Sequence, residues 1–477
     1  MTRTVIIAGG GPVGLLVAAE LRLNGVPALV LERRTHRETE AFSRLLHGRS
    51  ADVLERRGLL SGLGELPRWP AVHFAHLPMD LGKASPDDCW LIVPQNRVEA
   101  ALEDHAVALG TEIRRGHEVL AVEQDDGGVT ATVRGVDGEY RVEGAFLVGA
   151  DGGNSTVREA AGFVAPPRGP SWYGLVAQVE GYAGPEGAAT GPAGLYGVIP
   201  DAGFHHVMTT EFARDTPGHE VPVTFEEVRA GVLRVAGAPV TGGRPRWMAR
   251  YGNVTRLPDS YRKGRVVLAG DAAHTHFHAV GHGLNTGLND AVNLGWKLAA
   301  EVDGTAPEGL LDSYEAERRP VGERAVRVML AQLALLHPLE PLEPLRSLLA
   351  ELVELQPVVE HLVGAVTTVR YPLELDLPGD SSEFSPLIGR SLPVLPEAAA
   401  PAVHSGRGVL LAREGDPRSP GPLPNWAGRV TRVEIPAVPE LDAPGVLVRP
   451  DGVVAWAGTD DKGLTAALET WFGPAAQ

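Results

Sequence analysis

The sequence predicts an α/β protein of two or three domains: a largely parallel nucleotide-binding sheet with helices, a mixed β-sheet inserted into it, and a small α/β domain at the end. Three observations predict it. The chain of 477 residues exceeds the roughly 250 to 300 residues at which one hydrophobic core stops growing. Its first stretch reads strand, glycine turn, helix, strand, and two later apolar runs, Phe146–Val148 and Arg265–Ala269, each deliver an aspartate in a glycine-containing turn at their carboxyl end. Ligands of open α/β sheets collect at such strand ends. From about Pro378 the composition shifts to proline and glycine, which sets off a C-terminal unit.

Taken in order, Thr4–Ala8 is a β-branched apolar run, Leu15–Leu23 has helical periodicity, and Ala28–Leu31 is a second strand ending at Glu32. A helix is expected over Arg97–Leu109, then strands over Glu118–Val122 and Val129–Val133. Gly174–Phe212 reads as several short strands broken by glycine and proline, with aromatic and histidine residues interleaved. Helices return over Leu284–Glu301 and from Pro307 to about Leu355, where Pro338, Pro341 and Pro344 predict a break. The expected boundaries are 1–165 with 255–375 for the nucleotide-binding unit, 166–254 with part of 70–92 for the inserted sheet, and 376–477 for the last domain.

Composition narrows the function. With 44% hydrophobic and 22% charged residues the chain has the profile of a globular protein. A formal net charge of −17 and a pI near 5.4 oppose nucleic-acid binding. The one local basic cluster is Arg33, Arg34, Arg37, Arg44 and Arg49. A single cysteine, Cys89, rules out an intramolecular disulfide and, with no signal-like N-terminus, favours a cytoplasmic protein. No apolar run reaches the roughly 20 residues that span a bilayer.

Three motifs carry the chemistry. Gly9, Gly11 and Gly14, with Pro12 and Val13 between them, follow a strand and open a helix, and Glu32 closes the next strand. Glycines there permit a tight turn and close approach of a pyrophosphate, the helix N-terminus supplies N–H donors, and an acidic residue at Glu32 suits a ribose hydroxyl. This predicts a bound dinucleotide. Asp151-Gly152 with Ser155 and Arg158 is the second motif, and by itself reads as an ordinary Asp-Gly turn with a helix cap rather than a ligand site. The third is Gly270-Asp271 in the run to Asn285.

Together with the segments around Arg44 and Gln95 and the C-terminal LVRPDGVVAW, these motifs resemble the class A FAD-dependent monooxygenases, in particular the aromatic polyketide hydroxylase and rifampicin monooxygenase subgroup, which includes redox-neutral [4+2] cyclase relatives. The resemblance covers nearly the whole chain. It implies a Rossmann-type FAD-binding domain, a substrate-covering sheet and a degenerate thioredoxin-like domain, here without Cys-x-x-Cys. It further implies FAD contacts from Gly9, Gly11, Pro12, Val13, Gly14, Glu32, Arg33, Arg44, Gln95, Val119, Asp151, Asp271, Gly281, Gly283, Leu284 and Asn285. Trp172, Tyr196, Phe204, His206 and Phe277 are candidates for the substrate pocket.

The implied reaction is NADPH- or NADH-dependent hydroxylation, or Baeyer–Villiger oxidation, of a large apolar polyketide through a flavin C4a-hydroperoxide, by a monomer or homodimer without metal or membrane. Two departures matter. His278 stands where the family usually has proline, and Val280-Gly281-His282-Gly283 replaces Gly-Gly-Gln-Gly. His278 is the candidate catalytic residue; it fits equally a packing residue, a group polarising a substrate carbonyl, or a site that no longer activates oxygen. The competing readings are a decalin-forming cyclase with structural FAD and a flavin-bearing protein that only sequesters ligands.

Overall fold

The computed structural model describes residues 3–37, 39–40, 43–69, 71–80, 90–169, 172–201, 203–212, 221–277, 281–337, 339–367 and 385–475. His278 and Cys89 lie outside them. The architecture is the α/β one expected, organised on three main sheets.

The first sheet has six strands, in the spatial order Arg262–Lys263, Val266–Leu268, Phe146–Gly149, Val5–Ala8, Ala28–Glu32 and Glu112–Arg115. All neighbours run parallel except the first pair. Such strands are buried on both faces and read as continuous apolar runs, as Val5–Ala8 and Val266–Leu268 do. In register, Ala8 lies beside Leu31 and Gly149, and Gly149 beside Leu268. The carboxyl ends that lead into Gly9, Glu32, Asp151 and Asp271 therefore share one edge.

Helix Pro12–Leu23 begins with proline, which suits the first helical position. It packs closely on helix His282–Asp303: a Cβ added at Gly295 would lie 2.2 Å from the Glu20 Cβ, so glycine sets that approach. The leucine-rich region expected as one interrupted helix consists of Asp312–Ala334, Leu339–Leu352 and Gln356–Thr367. Pro338, expected to break the helix, lies outside the described residues, while Pro344 and also Pro320 lie inside helices.

The second sheet has five antiparallel strands and is more regular than its glycines suggest. Its core is Trp172–Ala183 between Phe204–Phe212 and Gly242–Gly252. The two-residue period separates two faces. Trp172, Leu195 and Phe212 face Phe277 and the helices near Met329 and Val359. Leu175, Tyr196 and Val207 face the other way, against helix Phe225–Ala236. That helix was not foreseen, although Thr224 caps it and Gly237 ends it in the left-handed conformation. Among its described residues, 71–80 and 90–92, the 70–92 segment does not join this sheet. It forms the hairpin Ala71–Phe74 with Leu77–Asp80, and strand Trp90–Ile92, which pairs with Leu45–His47 and Arg68–Trp69.

The third sheet, in the order Val430–Ile435, Gly408–Arg413, Gly445–Val448, Val454–Gly458, mixes one parallel with two antiparallel pairings and is followed by helix Asp461–Phe472. Buried charges fasten it to the first unit. Arg449 donates to both Glu317 oxygens at 2.7 and 2.8 Å and also pairs with Asp451. Lys297 stands 3.1 Å from Glu317, and Asn293 donates to Glu317 and Asp451. Burial alone would raise the Glu317 carboxyl, but Arg449 and Lys297 hold it far below its ordinary value. Arg57 adds a second tie, donating to Glu20 and to the Pro450 and Val403 carbonyls.

Removing one member of a buried ion cluster leaves its partners uncompensated, at about 3–5 kcal/mol. Arg449→Met is therefore expected to lower stability by about that amount, read by urea unfolding, and to release the C-terminal unit to limited proteolysis. Unchanged unfolding would show that the cluster is not a fastening.

Candidate functional site

A cavity of about 600 Å³ opens at the shared strand edge. Of the residues expected to bind the cofactor, Gly9, Gly11, Pro12, Val13, Glu32, Arg33, Gln95, Val119, Asp151, Asp271, Gly283 and Leu284 line it. They come from strand ends, turns and three helix starts that are remote in sequence.

The glycine turn has the shape a pyrophosphate needs. Gly9 has φ +105°, and a Cβ there would sit 2.3 Å from the Ala150 carbonyl oxygen. A Cβ at Gly14 would lie 2.0 Å from the Gly9 oxygen, so Gly14 lies against the turn rather than in the cavity. At Gly11, by contrast, an added Cβ would meet nothing within 4 Å. The helix that starts there has no side-chain cap and no acidic residue in its first turn, so its N–H groups and dipole are left for an anion.

At one end of the cavity the Glu32 carboxylate accepts from the Gly10 N–H at 2.6 Å and the Arg34 N–H at 2.8 Å. Each oxygen keeps a further acceptor position, and these suit ribose hydroxyls. At the other end Asp271 lies in the short Gly270–Ala272 turn. A Cβ on Gly283 would come within 3.1 Å of its Oδ1, so glycine lets the first turn of helix His282–Asp303 meet that carboxylate. Phosphate-facing N–H groups, a ribose-facing carboxylate and bare backbone at both approaches fit FAD.

Asp151 is turned toward its own loop: Ser155 donates to one oxygen at 2.5 Å and the Val157 N–H to the other at 3.1 Å. Burial nevertheless pushes its carboxyl pKa up. Arg158 serves structure, donating to the Ala272 and Gly153 carbonyls. Arg44 does not line the cavity; it forms an ion pair with Asp201 at 2.8 Å, joining the first unit to the inserted sheet. Asn285 spans Leu45–His47 and the helix start, donating to the Leu45 and Gly281 carbonyls and accepting from the His47 N–H. Its amide and Gly281 thus set the geometry next to the cavity.

The substrate candidates divide. Trp172 packs on Phe212 and Phe277, with ring centroids 4.7 and 5.4 Å apart. Phe204 and His206 share that side of their strand and touch each other at 5.0 Å. His206 stands 3.4 Å from Asp201, and burial, then Arg44, lowers its pKa. Tyr196 is on the opposite face, where its hydroxyl meets Tyr182 and the Pro185 carbonyl. Alternation along Gly194–Asp201 puts it with the Phe225–Ala236 helix, away from Trp172.

Sequence reasoning missed Glu99, His117, Asn154, Tyr251, Arg256, Thr275 and His276, all of which line the cavity. Glu99 could have been found, one helical turn after Gln95; the others lie on loops and strand ends with no periodic signal. Also missed was a ring cluster beside the apolar side of the site. His47 stacks on Trp90 at 4.8 Å and meets His282 at 6.0 Å; His276 meets His282 at 5.8 Å. Burial above all, and then the neighbouring His276 and His47, keep His282 neutral, with its pKa well below the ordinary imidazole value.

Comparison with known proteins agrees with this geometry. The FAD binding domain family model matches residues 2–329, and the model for the C-terminal region of aromatic-ring hydroxylases matches residues 385–475. The chain is 40% identical to a 12-dehydrotetracycline 5-monooxygenase/anhydrotetracycline 6-monooxygenase of Streptomyces rimosus, and 41% identical to a dialkyldecalin synthase of Streptomyces rugosporus, in each case over 100% of both chains. Among solved structures it is similar to an anhydrotetracycline hydroxylase from Streptomyces rimosus, with TM-score 0.90 and 39% identity over 100% of both chains.

Because a side chain at Gly11 meets only open cavity, Gly11→Val is expected to fold normally, with a stability change within about 0.5 kcal/mol, and to lose FAD affinity by roughly a hundredfold, equal to ~2.8 kcal/mol. Flavin fluorescence quenching and thermal unfolding read the two effects. Retained affinity would place the cofactor elsewhere.

Proposed function

The chain belongs to the FAD-dependent monooxygenase family, and from that premise we propose that it uses FAD and NADPH or NADH to transfer one oxygen atom of O2 to a large, mostly apolar polyketide-type natural product. The observation that carries this reading is a cofactor-sized cavity next to a packed apolar cluster. The cavity, with a glycine turn at one approach and carboxylates in its lining, lies beside the buried cluster of Trp172, Phe212 and Phe277, and Tyr251 belongs to both.

Bound in the cavity, FAD supplies the electron transfer and oxygen activation. The chain's own groups bind, orient and exclude water. The first-helix N–H groups and Gly11 receive the pyrophosphate, Glu32 the adenosine ribose, and Asp271 with Gly283 and Leu284 the ribityl and ring end. Gln95, Arg33 and Val119 line the walls between. Trp172, Phe212 and Phe277 present a dry surface to an aromatic or polyene substrate, which protects reactive species from water. Tyr251 is held by Thr210 Oγ1 at 2.8 Å and donates to the Thr209 carbonyl at 3.0 Å, fixing its ring between the spaces. His282, kept neutral, adds no positive charge there. Residues 1–165 with 255–375 form the FAD-binding unit, 166–254 the substrate cover, and 376–477 the degenerate thioredoxin-like unit.

A second reading is favoured by one specific observation: a dialkyldecalin synthase matches the chain over its full length as well as the hydroxylase does. In that reading FAD is a structural part, and the pocket accelerates a redox-neutral cyclisation by proximity and orientation, worth up to roughly 7–11 kcal/mol.

Anaerobic mixing with NADPH, followed by oxygen, separates the two, with anhydrotetracycline as the probe ligand. Monooxygenation predicts bleaching of the flavin by NADPH, faster with ligand, and product that has gained one oxygen atom. A flavin that stays oxidised, while a polyene is cyclised without oxygen, would overturn it in favour of the cyclase.

A further inference from the structure

The end of the cavity next to Glu32 holds a second carboxyl group whose role is unassigned. Glu99 lies four residues after Gln95 on the helix Gln95–Ala108, so the two share a face, and both line the cavity with Glu32, Arg33 and Arg34. Glu99 is only 4% exposed. Its carboxylate oxygens open onto the cavity rather than being sealed from it; such a group is normally paired, yet among the described residues none hydrogen-bonds to or forms an ion pair with this one. Arg115, a cation packed nearby, donates to Glu103 at 2.7 Å instead.

The groups facing Glu99 come from every element around it. Glu32 and Arg34 stand at and beyond the end of Ala28–Glu32, Arg115 ends Glu112–Arg115, and Glu103 is one turn on in the same helix. His117 and Glu118 line the same end of the cavity. Burial is the strongest influence and raises the Glu99 carboxyl to about 7; Arg34 and Arg115 oppose it, Glu32 and Glu103 reinforce it.

We propose that Glu99 is a cofactor-binding residue that acts as the neutral acid, closing the adenosine end of the cavity and offering FAD a hydrogen-bond donor there, whereas its ionised form opposes binding. The two carboxyls then have complementary tasks. Glu32 accepts from backbone N–H groups and from ribose, while Glu99 donates. Ionised, Glu99 would add a negative charge close to Glu32 and to a dianionic pyrophosphate, inside a cavity where screening is weak. The proposal rests on the FAD reading of the cavity.

The sign of the linkage follows. FAD prefers the protonated site, so affinity is full below about pH 7 and falls as pH rises through it, by at most tenfold per pH unit. The test is the Kd of the apoprotein for FAD, by fluorescence quenching, between about pH 6 and 8.5. Wild type is expected to weaken at least about fivefold across that range, and Glu99→Gln, an uncharged donor, to hold its low-pH affinity throughout. His117 and His276 also line the cavity, and protonation of either would favour an anion, so His117→Asn and His276→Asn are measured in parallel and both are expected to keep the slope. A pH-independent wild type, a slope that survives in Glu99→Gln, or one that disappears in His117→Asn or His276→Asn would overturn the proposal. Failure of the FAD reading itself looks different: no FAD binding at any pH.

Discussion

Three separate pieces of the chain meet on the carboxylate of Asp290. Its Oδ2 accepts from the Gly270 N–H at 3.1 Å and lies 2.6 Å from His274 Nε2, and its Oδ1 accepts from Arg318 Nε at 2.6 Å. Arg318 also donates to the Thr286 carbonyl. Asp290, His274 and Arg318 are all fully buried. Burial by itself would raise the carboxyl's pKa, but Arg318 and His274 outweigh it and keep the group ionised below its ordinary value. A buried charge of this kind tolerates little displacement, because any partner that moves away leaves the others uncompensated. The Gly270–Asp271 turn, the helix that begins with His282-Gly283 and the helix carrying Arg318 therefore hold one arrangement. That arrangement forms the wall of the cavity at its Asp271 end.

Steric contact, rather than charge, joins that wall to the glycine turn. Gly9, Gly14, Gly270 and Gly287 stand where a Cβ would strike backbone or Val13, which brings the first turn, the third motif and the long helix together. Such positions are legible in a sequence because only one residue type meets the demand. Four of the five parallel strands were legible for a similar reason, because burial on both faces leaves an unbroken apolar run; the fifth, Glu112–Arg115, is charged and only partly buried and was not foreseen. Asp290 and Arg318 were not singled out, since a charged residue inside a helix reads as solvent-facing until its partners are known.

The substrate side was harder for a physical reason. Alternation along a strand says which residues share a face but not which face is covered by what. Tyr196 and Trp172 look equivalent in sequence, yet the helix Phe225–Ala236 claims one and Phe277 the other. Arg44 was expected on the cofactor by resemblance, and its contact with Asp201 joins elements too distant in sequence for any local pattern to reveal. The cavity's loop residues, Asn154, Arg256 and Thr275, carry no periodicity at all. What emerges is a cavity edge specified by backbone requirements and an apolar cluster specified by packing.

The most direct test of this account is the FAD affinity of Asp290→Asn, measured on folded apoprotein by flavin fluorescence quenching. Loss of the charge is predicted to loosen the Gly270–Asp271 turn from the helix start and weaken FAD binding at least about tenfold, or ~1.4 kcal/mol, together with a lower unfolding midpoint. Wild-type FAD affinity in a destabilised variant would show that Asp290 holds the fold without shaping the cofactor site, and would contradict the account.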